Sequence, residues 1–286
     1  MDETEKVPIQ RITRDSCSDT EDMVVQEQPL TIILNNNELV TLLCSPLDLK
    51  YLAVGFLFSE GLLSSKEEIK KVMVDDKRGI VRVETDQDDE LARDLVFKRL
   101  ITSGCGRGAS FYSAADTQEQ LKIESQARVS AAEIFGLAKQ FQHRSQLYRE
   151  THGVHSAALC DRKSILIFSE DIGRHNAIDR IFGQCLMQDI AVDDHIILSS
   201  GRISSEIVLK AAKRNIPILI SISAPTSLGV RLANDVGLTL IGFVRGQRMN
   251  AYANQWRIDT SDGEECPTGR GNIEAQGKAE SGYPRP

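Results

Sequence analysis

The densest group of chemically useful side chains in this sequence lies at residues 170–179, Glu-Asp-Ile-Gly-Arg-His-Asn-Ala-Ile-Asp. An apolar run typical of a β-strand, 164–168, precedes this group, and an amphipathic run beginning at Ile178 continues it. Two carboxylates, an arginine, a histidine and an asparagine therefore fall in one strand-to-helix turn. Such turns present polar side chains and free backbone N–H groups where open α/β sheets bind ligands. The alternative is a plain capped helix start, which would leave most of these polar groups unexplained.

Other strand ends repeat this plan. A predicted strand at 196–198 ends in Ser199-Ser200-Gly201-Arg202, and another at 238–244 runs into Arg245-Gly246-Gln247-Arg248. Hydroxyl and guanidinium groups suit phosphates or polar heterocycles, although a serine-rich helix cap is an alternative for the first turn. We expect these ends to converge on one edge of a sheet and to form an anion pocket. Its expected polar groups are Glu170, Asp171, Arg174, His175, Asn176, Ser199, Ser200, Arg202, Thr226, Ser227, Arg245, Gln247 and Arg248.

One cysteine lies in a setting that favours reactivity. The chain has six cysteines, none of them in a Cys-x-x-Cys pair, so neither a zinc knuckle nor a thioredoxin-type site is predicted. Cys105 lies in a glycine-rich loop, 101–117, close to Arg107, which favours an exposed thiolate. A thiolate on such a loop suits the carriage of a labile atom, above all sulfur as a persulfide. The alternative is a flexible linker in which the cysteine is incidental.

Three histidines raise the possibility of a metal site. His152, His155 and His175 are candidates to meet in space. Zinc deaminases, however, need a His-x-Glu and a Pro-Cys-x-x-Cys; His155-Ser156-Ala157 does not match the first and the second is absent. We therefore predict no metal site.

Composition narrows the class of protein. The 286 residues include 34 Lys plus Arg and 41 Asp plus Glu, a net charge of −7, which argues against general nucleic-acid binding. No window approaches the ~18 consecutive apolar residues of a membrane span. The first residues lack the order of a signal peptide, so a cytoplasmic protein is expected.

Periodicity and turn signals predict an α/β chain. A β-hairpin is predicted around an asparagine-rich turn at 35–37, a helix over 47–59 ended by Gly61, and a helix over 130–142 with a Ser130–Glu133 capping box. The expected organisation is a loose N-terminal arm (1–28), a small α+β unit (29–100), the cysteine loop (101–117), a larger α/β domain (118–258) and a disordered tail (259–286).

With these motifs in place, the sequence resembles the FdhD family of accessory sulfur carriers for formate dehydrogenase. The resemblance extends from about Leu30 to Tyr252. It rests on several motifs that occur in the same order: 52–61 (Leu-Ala-Val-Gly-Phe-Leu-Phe-Ser-Glu-Gly), 170–179, 199–202 and 243–248 (Phe-Val-Arg-Gly-Gln-Arg).

The resemblance implies a fold. The larger domain would be a cytidine-deaminase-like mixed sheet with helices on both faces and without the deaminase zinc, next to the small N-terminal α+β unit. It also implies partners: an L-cysteine desulfurase as sulfur donor, formate dehydrogenase as the protein served, and a second copy of the chain in a homodimer.

The resemblance further implies a role for individual residues. Cys105 would carry the persulfide, and its sulfur would pass to the molybdenum bis(guanine dinucleotide) cofactor as a bound client. The cofactor-binding residues would be Phe243, Val244, Arg245, Gly246, Gln247 and Arg248, together with Arg174, His175, Asn176, Ser200, Gly201 and Arg202. Some members carry Cys-x-x-Cys where this chain has Gly108, so any step that needs a second cysteine is in question.

Two other functions remain open. One is a cofactor-binding chaperone that transfers no sulfur covalently, and the other is a nucleotide-metabolising enzyme related to deaminases.

Overall fold

The structure is a computed structural model that describes residues 3–86, 100–101, 109–110 and 121–259. Its strands are β1 (Thr4–Ile12), β2 (Cys17–Val25), β3 (Gln28–Leu34), β4 (Asn37–Cys44), β5 (Ile69–Asp75), β6 (Ile80–Thr85), β7 (Leu100–Ile101), β8 (Ala109–Ser110), β9 (Val129–Ser130), β10 (His155–Cys160), β11 (Ile165–Asp171), β12 (Ile196–Ser199), β13 (Ile218–Ser221), β14 (Thr239–Arg245), β15 (Arg248–Ala253) and β16 (Ile258–Asp259). Its α-helices are α1 (Leu49–Glu60), α2 (Ala131–Arg144), α3 (Gln146–Thr151), α4 (Arg174–Gln188), α5 (Ser205–Lys213) and α6 (Ser227–Val236).

The largest sheet has the strand order β11-β10-β12-β13-β14-β15. Strands β12, β13 and β14 are parallel, whereas β10 is antiparallel to both β11 and β12. The carboxyl ends of β11, β12, β13 and β14 therefore lie at the same edge of the sheet, together with the first residue of β10. We call this the polar edge. The mixed α/β class that was predicted is confirmed.

Helices cover both faces of this sheet. Successive strand residues point to opposite sides, so Leu198 packs in one core with Phe141 of α2. Its neighbour Ile197 packs in the other core with Ile181 of α4, and α1, α5 and α6 contribute to that same core. The predicted capping box of α2 is present, because Ser130 accepts a hydrogen bond from the backbone of Glu133 and the Glu133 carboxylate accepts one from Ser130.

A smaller sheet, β4-β3-β6-β5, and helix α1 form the N-terminal α+β part of the chain. The predicted hairpin is β3–β4, and its turn uses positive φ at Asn35 and Asn36. Helix α1 ends at Gly61, as predicted. This part does not have a core of its own: α1 packs against α4, and its side chains belong to the same apolar cluster as the larger sheet.

Two glycines allow α1 and α4 to pack at very short range. A Cβ added at Gly55 would lie 1.7 Å from the carbonyl oxygen of Asp179, and one at Gly183 would lie 1.9 Å from that of Tyr51. Real Cβ atoms do not approach other atoms so closely, so only glycine fits at these two positions. The backbones of the two helices are therefore in direct contact.

A buried ion cluster joins α1, α4 and α5. The Nζ atom of Lys210 lies 2.8 Å from both carboxylate oxygens of Asp179 and 3.2 Å from Oε1 of Glu60, and Ser59 donates a 2.6 Å hydrogen bond to Asp179. Burial alone would lower the pKa of Lys210, but the two carboxylates raise it. The charged lysine thus holds three helices together.

The N-terminal residues require a correction. Residues 1–28 were expected to form a loose arm, yet β1 and β2 pair over their full length as an antiparallel hairpin. Its side chains are mostly exposed, so the sequence lacks a clear apolar period, and cross-strand backbone pairing forms the ribbon instead. Helices in the described part of the chain are all too short or too polar to cross a membrane.

Candidate functional site

The polar edge brings together the strand ends that the sequence singled out. Residues 170–176 run from the last two residues of β11 into the first turn of α4. Residues 199–202 begin with the last residue of β12, and residues 245–248 form the turn that joins β14 to β15. An isolated bridge between Ile203 and Pro225 ties the loop after β12 to the loop after β13. The predicted convergence on one edge is therefore confirmed.

The edge nevertheless has two separate parts. In the sheet, β14 is two strands away from β12, which corresponds to about 10 Å at ~4.8 Å per strand. Residues 174–176 and 200–202 form a first cluster, which includes His155 at the start of β10. The 243–248 turn forms a second cluster further along the edge.

Arg174 opens α4 and is largely buried against Gly201. A Cβ added at Gly201 would lie 2.8 Å from Cβ of Arg174 and 2.9 Å from its Cδ. The glycine therefore makes room for the arginine stem, which explains why a glycine stands in the Ser-Ser-Gly-Arg turn. Arg202 is exposed next to it.

An ion pair connects the first turns of α4 and α5. Nε2 of His175 lies 3.0 Å from Oε2 of Glu206, and both side chains are about four-fifths buried. Burial alone would raise the pKa of the Glu206 carboxyl, but the hydrogen bond and the charge of His175 lower it. Sequence reasoning missed Glu206, because its partner lies 31 residues away.

Asp171 braces the turn that follows β11. Its fully buried carboxylate accepts hydrogen bonds from the backbone N–H of Gly173 (2.8 Å) and Ser45 (3.2 Å) and pairs with Arg180. It also accepts one from the Nδ2 of Asn176, which donates its second hydrogen to the Leu43 carbonyl. Asp171 and the amide nitrogen of Asn176 thus hold the loop before α1 against the start of α4.

The 243–248 turn projects from the sheet between β14 and β15. Phe243 and Gly246 have positive φ angles of 55° and 58°, and Phe243, Arg245, Gly246, Gln247 and Arg248 are exposed. The side chain of Val244, predicted to bind the cofactor, is instead fully buried in the apolar core. Alternation along a strand accounts for this correction, since neighbours of an outward residue point inward.

A cleft with a volume of about 510 Å³ opens at the first cluster. This is within the usual size of a small-molecule site. Its lining residues are Phe141, Gln142, Ser145, Tyr148, Arg149, His152, Gly153, Val154, His155, Ser156, Ile172, Ser200 and Ile222. The lining residues from α2 and α3 carry no motif, so the sequence did not reveal them, whereas His152 and His155 were noted there only as candidates for a metal site.

A carboxylate lies beside this cleft. Oε1 of Glu170 accepts hydrogen bonds from the hydroxyls of Ser145 and Ser156, the latter at 3.2 Å. Oγ of Ser200 accepts a 2.9 Å bond from the backbone N–H of Ser156 and lies 3.4 Å from Nδ1 of His155. The cleft is thus lined by polar groups next to arginines. Within the described ranges, His, Cys, Asp and Glu side chains form no group of three suited to a metal ion.

The cysteines differ sharply in environment. Burial raises the pKa of Cys44, Cys160 and Cys185 to about 12 each. Cys17 is exposed in the β1–β2 hairpin. Cys105 and its loop, like the tail after Asp259, lie outside the described residues, apart from a short β7–β8 pair on either side of Cys105.

The segment that follows the cysteine loop is anchored at the side of the large sheet opposite the polar edge, where β12, β13 and β14 begin. We call this the far edge. The backbone N–H of Ile123 bonds to the carbonyl of Val236 at the end of α6, and Ser125 bonds to Asp194 just before β12. The buried Arg257 donates to the carbonyl of Ser125. Helix α4, which starts at the polar edge, has 15 residues, so the two edges are roughly 22 Å apart.

With this geometry described, comparison with known proteins identifies relatives. The FdhD/NarQ family matches residues 25–259. A sulfur carrier protein FdhD of Bacillus pumilus (strain SAFR-032) is 44% identical over 237 residues, which cover 83% of this chain and 90% of that protein. One of Bacillus subtilis (strain 168) is 42% identical over 248 residues, or 87% and 95% of the two chains.

A solved structure is also similar. A formate dehydrogenase accessory protein from Desulfotalea psychrophila superimposes with a TM-score of 0.76 at 27% identity, covering 90% of this chain and 100% of that one. The β1–β2 hairpin precedes the family match, whereas the polar edge and the cleft lie within it. This chain belongs to the FdhD/NarQ family.

Proposed function

We propose that this protein is a sulfur carrier in the maturation of formate dehydrogenase. It accepts sulfur from an L-cysteine desulfurase as a persulfide on Cys105 and passes it to the molybdenum bis(guanine dinucleotide) cofactor, its client. Family membership supports the carrier role, since relatives over 80% or more of this chain are named sulfur carriers. The observation that carries the cofactor part is the cationic polar edge beside the 510 Å³ cleft.

The loading step needs only a thiolate and a persulfide. The Cys105 thiolate attacks the outer sulfur of the donor's R–S–SH, the donor S–S bond breaks, and R–S⁻ leaves while Cys105 becomes Cys–S–SH. The step consumes no oxidant and needs no second cysteine, so the glycine at 108 is compatible with it.

The cysteine environments favour Cys105 over the buried thiols. A thiol with a pKa near 12 is almost entirely protonated at neutral pH, which removes Cys44, Cys160 and Cys185 as nucleophiles. Residue 105 is 16 positions from residue 121, where the described chain resumes. A fully extended stretch of that length spans ~53 Å. This is more than the roughly 22 Å from the far edge, where the segment after the loop is anchored, to the polar edge.

The client would bind by its phosphates. Exposed arginines at 202, 245 and 248 offer charged donors, and the first turns of α4 and α5 add backbone N–H groups. In this proposal Arg245 and Arg248 hold one phosphate group, and the cluster of Arg174, His175, Ser200 and Arg202 holds another. A homodimer would present two such edges to a cofactor that has two nucleotide arms.

Loading is tested by incubating the protein with a desulfurase and L-cysteine and mapping sulfane sulfur by mass spectrometry. We expect one added sulfur on the peptide containing Cys105, and none in Cys105→Ala. Cys17→Ala is the matched control, because Cys17 is exposed and lies outside the family match. Labelling that persists in Cys105→Ala would contradict the carrier proposal.

The alternative, a cofactor-binding chaperone, is favoured only by the pocket itself. It predicts that cells with Cys105→Ala retain formate dehydrogenase activity, whereas Arg245→Ala and Arg248→Ala lose it. The carrier proposal predicts loss in all three. The cytidine-deaminase-like character of the larger sheet remains a prediction of the resemblance.

A further inference from the structure

His155 belongs to the polar edge but was not among the binding residues predicted from the sequence. It is the first residue of β10, pairs in register with Asp171 of β11, and lines the cleft. Its Nδ1 lies 3.4 Å from Oγ of Ser200. The side chain is therefore held in place at the junction of the cleft and the strand ends.

The charges around His155 are mostly positive. Burial lowers its pKa, and the charges of Arg174 and Arg202 and the nearby His175 lower it further, while Asp171 acts in the opposite direction. On the helical side, Arg149 and His152 line the same cleft, and the Glu170 carboxylate lies beside it, bonded to the hydroxyls of Ser145 and Ser156. Without a ligand, the imidazole is therefore protonated to a smaller extent than that of an ordinary histidine.

We propose that His155 is an additional ligand-binding residue of the polar edge and contacts a phosphate group of the ligand in its protonated form. An anion placed among Arg174, Arg202 and His155 offsets the repulsion from the two arginines and accepts a hydrogen bond from the imidazole, which favours its protonated form. Binding of a phosphorylated ligand is then coupled to the uptake of one proton by the protein. The inference rests on the anion site of the proposed function, but not on the persulfide.

The coupling has a simple consequence for affinity. When binding takes up one proton, the affinity changes by up to tenfold per pH unit over the range where the free group is neutral and the bound group is charged. Affinity should therefore increase as the pH falls from 8 toward 6, beyond the change caused by titration of the ligand itself.

The test is calorimetric titration of the full-length protein with guanosine diphosphate and, separately, inorganic pyrophosphate, in buffers that differ in their heat of ionisation. The dependence of the measured heat on the buffer gives the number of protons taken up. We expect the wild type to take up close to one proton more per ligand at pH 7 than His155→Gln does. The ligand's own titration is common to all variants and cancels in the comparison.

His195→Gln is the control, since His195 lies just before β12 at the far edge and bonds to the carbonyl of Asp193. It should take up protons as the wild type does. Equal proton uptake in His155→Gln and the wild type would overturn the inference. It would also be overturned if neither guanosine diphosphate nor pyrophosphate bound to the wild type.

A measurement on the unmodified protein guards against a folding defect in the variant. Histidine side-chain NMR at pH 7 should show one imidazole changing from neutral to charged on addition of pyrophosphate. If every imidazole keeps its protonation state, the inference is wrong. Sulfur loading is measured independently by mass spectrometry, so this failure would leave the carrier proposal standing.

Discussion

At the scale of single residues, the side chains that can contact a ligand differ from those that hold the site in place. Asp171, in the most polar motif of the sequence, is fully buried, and its carboxylate accepts hydrogen bonds within the protein and pairs with Arg180. Arg202 and Arg248 are exposed and available to a ligand. The polar edge therefore contains both exposed groups that a ligand can reach and buried groups that hold the loops in place.

The cysteines give a direct residue-scale prediction. We expect iodoacetamide at pH 8 to modify Cys17 in the native protein and to leave Cys44, Cys160 and Cys185 unmodified, because burial raises their pKa to about 12. Peptide mapping with and without denaturant measures this. Rapid native labelling of the three buried thiols would show that the core opens easily.

The exposed turn gives a second prediction. Guanine nucleotides should bind with a dissociation constant between micromolar and millimolar, roughly 4 to 8 kcal/mol. Arg248→Ala should weaken binding by about 1.5 to 3 kcal/mol if the guanidinium bonds a phosphate. Calorimetry measures the change, with Arg162→Ala as control because Arg162 is in the β10–β11 turn at the far edge. An equal loss in both variants would indicate only general electrostatics.

At the scale of elements, the contact between α1 and α4 links the N-terminal part to the site. The two helices touch through Gly55 and Gly183, and α4 begins with Arg174 and His175 at the polar edge. The Lys210 ion cluster then fixes α5 to both helices. A substitution in α1 should consequently shift Arg174 and His175 at the start of α4.

Replacing either glycine tests this contact. Gly55→Ala should lower the free energy of unfolding by about 3 kcal/mol, since the added Cβ would overlap the backbone of α4. Gly136→Ala is the matched control: it lies on an exposed position of α2 with open space around it. That variant should gain about 0.5 to 1 kcal/mol from helix propensity. Urea unfolding measures both, and a neutral Gly55→Ala would contradict the packing described.

At the scale of the whole molecule, stability should depend on the pH through His155. Its pKa is lower in the folded protein than the ordinary value of 6.5, so the unfolded chain binds the proton more readily. Stability is then greatest above pH 6.5 and is lost as the pH falls through that value. Thermal unfolding from pH 7.5 to 5.5 measures the loss, which should be smaller in His155→Gln. An unchanged slope in that variant would assign the loss to other groups.

The sequence by itself determined the kinds of elements and many of their ends. Periodicity and capping signals located α2 from Ser130, the end of α1 at Gly61 and the β3–β4 turn, because these features depend on residues a few positions apart. The polar edge was predicted for the same reason, because its polar residues directly follow apolar runs in the sequence. The exposed β1–β2 ribbon was missed, since it buries too little to leave an apolar pattern.

Only the tertiary structure decided which elements meet. The cleft combines α2 and α3 with the ends of four strands, β10 to β13. The Glu206 carboxylate pairs with His175 from another helix, and Val244 faces the core although its neighbours face solvent. These contacts join residues far apart in the chain. Local patterns show which side of an element is apolar, but the partner of that side is chosen by packing and charge across the whole fold.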